Sequence, residues 1–410
     1  MRKHLIACFA LALLGAASAQ NITITVAGYS NDTPIVQKLI QKFVHIPGVT
    51  VKWEPITGDF SQFITNALAA STAPDIFYLD VYVAKALVQS GKILPLNSFF
   101  ARDHFDPSAF IPELVQAFTF GGKLYAVPKD FNALVTFYNK DMFKAAGVPY
   151  PNAHDTWATF TEKIAKVNAY LKAHGSQAYG MSVSADPARF IPFALAAGGH
   201  LFAPDGSANS ITAKPWIEAM NFYVGFQKHG WSVMPSQLSQ GWAGAAFANN
   251  LAAAVWEGDW EAGFIADNNP TLNYGVAPLP LAPNGKRANF LFTVGYAIAK
   301  NSEHPNTAFK VIEALTSLPA EEYVLEHGLA IPSRKALAND PYFKEKTPEA
   351  EAAYAVFEAT KGAVPYRFGD VGGKYVDALQ QALTQVLTGA ESPEQALAQA
   401  AAQINSALGK

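Results

Sequence analysis

Residues 21–91 alternate strand and helix so regularly that few folds remain open to them. Asn21 to Ala27 (NITITVA) alternates apolar and polar residues and is β-rich, as a strand requires. Gly28 to Pro34 supplies cap residues and then a proline suited to a first helical position. Ile35, Val36, Leu39, Ile40 and Phe43 share one helical face, and Gly48 follows. Val49–Trp53 reads as a second strand and Phe60–Ala70 as a second helix. Ile76–Leu79, opened by Pro74-Asp75 and ended by Asp80, is a third strand, and Val81–Ser90, stopped by Gly91, a third helix. Such a β-α-β-α-β-α run calls for an α/β fold with a mainly parallel sheet covered on both faces. Ligands bind such sheets beyond the carboxyl ends of the strands, where Asn31, Asp32 and Asp80 fall.

The remainder is too long to belong to one such unit: 410 residues point to two domains. Trp157–Ala173, Ala188–Ala197, Lys214–Lys228 and Gln240–Asn249 read as helices. Ala252–Val255, Asn273–Ala277 and Phe290–Ala299 read as strands, and this block has a core of its own. Further helices are expected at Pro305–Ser317, Pro319–Glu326, Ala350–Ala359 and Tyr375–Leu387, with a loop at Leu329–Arg334. A last helix is announced by the capping box Ser392-Pro393-Glu394-Gln395. Between the two blocks lies Gly121 to Phe143, with strands expected at Leu124–Val127 and Ala133–Tyr138 and a break at Pro128-Lys129-Asp130-Phe131-Asn132. Two readings fit this break: a crossing from one lobe to the other, with the polar side chains lining the cleft, or an ordinary hairpin with a solvated tip.

The first nineteen residues read as a leader. Met1 to His4 is a short basic region, Leu5–Leu14 an apolar run too short to span a bilayer, and Ala17-Ser18-Ala19 a cleavage site. The mature chain is expected to begin at Gln20, and removal of Arg2 and Lys3 leaves 28 basic against 33 acidic residues, a net charge of −5. The only cysteine, Cys8, lies inside the apolar run rather than at the cleavage site, which argues against a lipid anchor. The mature chain then has no disulfide, cysteine metal ligand or thiol nucleophile. Without a basic stripe, nucleic acid is not an expected partner.

Catalytic signatures are missing from the sequence. There is no G-x-S-x-G, no P-loop and no H-E-x-x-H, and the nine histidines are scattered. Hydrolytic carboxylate pairs have no fixed spacing, so Asp80, Asp130, Glu257 and Asp259 stay open as members of one. More distinctive are aromatics beside polar residues at expected strand ends and loops: Trp256, Trp260, Tyr296 and Tyr366. Sugars suit such sites, because C–H faces pack on rings and hydroxyls pair with Asp and Arg. Any one of these aromatics reads equally well as core. Asp75 reads as structural, and Arg334 and Arg367 read more readily as surface residues.

Several short motifs give the chain a resemblance to a known group. They are Pro74-Asp75 through Asp80, with Gly91 and Leu94-Pro95-Leu96 following; Gly122-Lys123-Leu124-Tyr125-Ala126-Val127-Pro128; and Tyr138-Asn139-Lys140-Asp141 with Gly147 and Pro149. Thr156-Trp157, Val255 to Trp260, Gly295 to Ile298, and the end from Gly389 through Asn405 complete the order. From about Gln20 onward the chain resembles the extracellular solute-binding proteins of ABC transporters, in particular the family-1, maltose-binding-protein-like sugar binders.

The resemblance implies a type 2 periplasmic-binding fold of two discontinuous lobes, 20–129 with 292–340 and 130–291 with 341–410, closing on a sugar at a hinge. By position it implies ligand roles for Asp80, for Asp130 and Asn132, and for Trp260 as a stacking ring. It implies the same for Gly295 and Tyr296 on the returning strand and for Tyr366 and Arg367 before the penultimate helix. It implies a free periplasmic monomer, with no cofactor or metal, that hands a di- or oligosaccharide of maltose or trehalose type to a membrane permease. A secreted glycoside hydrolase, and a binding protein for a non-sugar solute such as glycerol phosphate or a polyamine, are the alternatives.

Overall fold

The computed structural model describes residues 21–410; the expected leader lies outside the described residues. The strands are β1 (Ile22–Tyr29), β2 (Val49–Ile56), β3 (Ile76–Asp80), β4 (Thr119–Phe120), β5 (Lys123–Leu124), β6 (Ala126–Asn132), β7 (Val135–Asn139), β8 (Ala254–Glu257), β9 (Tyr274–Ala277), β10 (Phe290–Ile298), β11 (Ile331–Pro332) and β12 (Val364–Pro365). The larger sheet has the order β11-β6-β10-β3-β1-β2, with β12 paired to β10. β1 runs parallel to β2 and β3, as the opening alternation requires. β10 is antiparallel to β3 and β6, and β11 antiparallel to β6, so the sheet is mixed rather than mainly parallel. The second lobe is built on the antiparallel sheet β8-β7-β9, wrapped by helices including Trp157–Ala173 and Lys214–Lys228.

The three helices of the opening block are α1 (Thr33–Phe43), α2 (Phe60–Ala70) and α3 (Val81–Gln89). They close over the larger sheet with Ile35, Val36, Leu39, Ile64, Leu68 and Leu87. Two short helices, Asn97–Asp103 and Pro112–Ala117, were not legible in the sequence. The helix expected at Gln240–Asn249 spans only Ala243–Ala248, and the loop expected at Leu329–Arg334 holds strand β11.

The segment 128–132 is not a break. β6 runs through it with every residue buried, and it pairs with β10 and β11, whereas β7 pairs with β8 and β9. The hairpin reading therefore fails. The chain leaves the larger sheet at Ala133–Leu134, beyond the 129/130 boundary expected from sequence. A proline inside a strand lacks a donor for the ladder. Pro128 sits opposite Gly295, where the register of β10 shifts between Val294 and Gly295, so the irregular pairing accommodates it.

Candidate functional site

A cavity of about 820 Å³ lies between the two lobes, a size within the usual range for small-molecule sites. The larger-sheet wall is built at strand ends. β1 ends in Tyr29 and delivers Asn31 and Asp32 at the start of α1; β3 delivers Asp80 at the start of α3; β6 delivers Lys129, Asp130 and Asn132. The Tyr29 hydroxyl donates to Asp80 Oδ2 at 2.6 Å, and Ser61 Oγ donates to the same oxygen at 3.4 Å. Lys129 is ion-paired with Asp130 and lies over the Tyr78 ring, 4.7 Å from its centroid. Burial raises both Asp32 and Asp80 to about 6, and the nearby Asp130 charge adds to the shift. Lys129 opposes that rise at both sites.

The facing wall comes from the second lobe. Arg189 donates to Asp186 at 2.7 Å and also pairs with Glu257, which is 1% exposed. The Trp260 indole N–H donates to Glu257 Oε2 at 2.9 Å, and the Arg189 guanidinium lies 5.3 Å from the Trp260 ring centroid. Glu257 therefore anchors both groups from behind, and Trp260 lines the cavity as an oriented ring. Burial raises the Glu257 pKa, with Arg189 and Trp260 acting against it. Tyr366, just after β12, packs edge-on against Tyr82 at 5.3 Å, and both rings line the cavity.

Seven of the residues singled out from sequence line this cavity: Asn31, Asp32, Asp80, Asp130, Asn132, Trp260 and Tyr366. Four do not. Trp256 is 1% exposed in the core of the second lobe, packed against Phe160, Phe193 and Tyr223. Tyr296 is buried within the larger sheet beside Tyr78. Gly295 serves packing: a Cβ there would stand 2.8 Å from the Ala126 Cβ and 3.0 Å from the Val127 carbonyl. Arg367 turns away and donates to the Gln116 carbonyl at 3.1 Å. Of the acids open to a hydrolytic pair, Glu257 and Asp259 are buried behind the lining.

Sequence reasoning missed Tyr29, Ser61, Tyr82, Asp186 and Arg189. Tyr82 and Asp186 carried a usable signal. Tyr82 stands two residues after Asp80 in the first turn of α3, and Asp186 precedes Pro187 as a helix cap that accepts from Ala188 N at 2.8 Å. Among the described residues no group of three or more His, Cys, Asp or Glu could hold a metal ion. The lining offers ring faces, carboxylate acceptors and hydroxyls, which suits it to holding a polar, ring-shaped solute.

A family model described as bacterial extracellular solute-binding protein matches residues 27–322. A Brucella abortus protein named as a binding protein is 25% identical over 409 residues, covering 98% of this chain and 96% of the relative. The galactooligosaccharide-binding protein of Bacillus subtilis is 28% identical over 291 residues, 68% of this chain and 65% of its own. Among solved structures, an ABC substrate-binding protein of Listeria monocytogenes in complex with cycloalternan superposes with a TM-score of 0.85 at 24% identity, covering 95% of this chain and 100% of that one. The fold is thus the two-lobed type 2 periplasmic-binding architecture.

Proposed function

The chain belongs to the family of bacterial extracellular solute-binding proteins, and from that premise we propose that it is the sugar-capturing component of an ABC importer. In this reading it is exported after cleavage behind Ala19 and works as a monomer. It closes on a di- or oligosaccharide, first among the candidates an α-glucoside of maltose or trehalose type, and passes it unaltered to membrane permease subunits. The observation that carries the reading is the two-sided lining. The Trp260 ring, held by Glu257, faces the cavity from one lobe, and the Asp32 and Asp80 carboxylates face it from the other. A ligand touching both walls gains more contacts when the lobes are together, so binding favours closure. The oligosaccharide named for the Bacillus subtilis relative supports the same ligand class.

Phosphate-bearing solutes fit less well, because the charged residues of the lining are mostly aspartate. Calorimetric titration against mono-, di- and trisaccharides, followed by chromatography of the recovered sugar, tests the proposal. Saturable heat with the sugar returned intact is expected. Silence across the panel would remove the sugar reading, and cleaved product would make the protein a hydrolase.

A further inference from the structure

We propose that the saccharide selected by this cleft carries a protonated amine, seated on the larger-sheet wall against Asp32 and Asp80. This rests on the sugar-binding reading above and narrows it. The lining holds seven aspartates against one lysine and one arginine. Both cations are already committed: Lys129 is paired with Asp130, and Arg189 with Asp186 and Glu257. The acid surplus is therefore not neutralised from within the wall.

Asp267 and Asp377 also lack a partner among the described residues but are exposed, so the open carboxylates withdrawn from solvent on the larger-sheet wall are Asp32 and Asp80. Asp32 is only 7% exposed, stands at the start of α1 without capping it, and makes no side-chain hydrogen bond among the described residues. The buried Tyr78 hydroxyl stands close enough to favour the ionised Asp32, though not in the geometry of a closed hydrogen bond. Asp80, which lines the cavity, receives Tyr29 and Ser61 on the same oxygen, Oδ2, which leaves Oδ1 without a protein donor. A neutral hydroxyl can satisfy such an acceptor, but it adds no charge to the partial compensation that Lys129, already paired with Asp130, gives these buried carboxylates. An ammonium group supplies donors and charge together. A metal ion is a poorer candidate for that place, since the described residues hold no cluster able to ligate one. On an otherwise neutral sugar, the amine would also explain why the remaining lining is aromatic and polar rather than uniformly charged.

The test compares matched pairs. Each saccharide in the calorimetric panel is titrated at pH 7 beside its amino-deoxy counterpart of the same linkage, and beside the N-acetylated form, which keeps the nitrogen and removes the charge. The amine form is expected to bind roughly tenfold tighter or better than both partners. In Asp32→Asn and Asp80→Asn the ratio of amine to hydroxyl affinity should shrink; because it is taken on one variant at a time, a general loss of binding does not affect it. Equal or better binding of the hydroxyl form by the unaltered protein would overturn the proposal and leave the sugar reading intact. An undiminished ratio in both variants would equally overturn the assigned seat. Failure of every saccharide, charged or neutral, would bring down the sugar reading itself.

Discussion

Two tryptophans four residues apart should respond to substitution in opposite ways. Trp260→Ala removes a ring from the cleft and should weaken sugar binding by about 1.5 kcal/mol or more. Trp256→Ala empties a fully packed core position and should cost about 3–5 kcal/mol of folding stability. Paired titration and thermal unfolding of the two variants check both statements. The local sequence shows two aromatics flanking Glu-Gly-Asp and gives no means of telling them apart. The difference is tertiary: Trp256 points from β8 into the helices of its lobe, whereas Trp260 opens a helix at the cleft. The cavity-lining positions of Asp32 and Asp80 were legible because strand ends in such sheets open onto the cleft, whatever the neighbouring side chains do. Ionisation gives a second test at this scale. Burial raises Asp32 and Asp80 to about 6, and Asp259 and Glu321 to about 8. The folded chain then retains protons that the unfolded chain has already released, so stability falls as pH rises. The first pair acts between about 4 and 6, and the second continues the decline to about 8. Thermal scans of the ligand-free protein should give a higher midpoint at pH 5 than at pH 8, and Asp259→Asn should flatten the upper part of the curve. A midpoint climbing across that range would contradict the assignment.

Among the elements, the crossover from β6 to β7 does most to relate the lobes. Asn132, 3% exposed, accepts from the backbone N–H of Asp259 at 2.9 Å and of Ala133 at 3.2 Å, so it ties the departing strand to the loop that carries Trp260. Asn132→Ala strands both donors in a buried setting and should cost about 1–3 kcal/mol in thermal or denaturant unfolding, with weaker sugar binding alongside. Elements whose ends are set by local chemistry were read closely from sequence. The helices Trp157–Ala173 and Lys214–Lys228 match to the residue, and the Ser392–Gln395 capping box is present. β6 was misread because its polar residues and proline are permitted by partners far along the chain. Asp130 is matched by Lys129, and Pro128 by the register shift in β10. No short-range pattern contains that information.

At the scale of the whole molecule, capture of a sugar between the lobes requires that they move relative to each other when it binds. The strands β6 and β10 belong to the larger sheet and lead directly from or into the second lobe, so they are the natural places for bending. The alternation of the first ninety residues announced the sheet and helices of one lobe, whereas the core expected to belong to the helical block alone is joined to it: one buried cluster runs from Ile24, Val26 and Leu39 to Ile164, Trp216 and Trp256. Which rings and acids meet across the gap depends on how the lobes face one another, and no single stretch encodes that. Small-angle X-ray scattering of the protein, first free and then saturated with a sugar that calorimetry shows to bind, measures the movement directly. A smaller radius of gyration and a shorter maximum dimension in the bound form are the expected result. Superimposable curves at full saturation would contradict closure on the ligand.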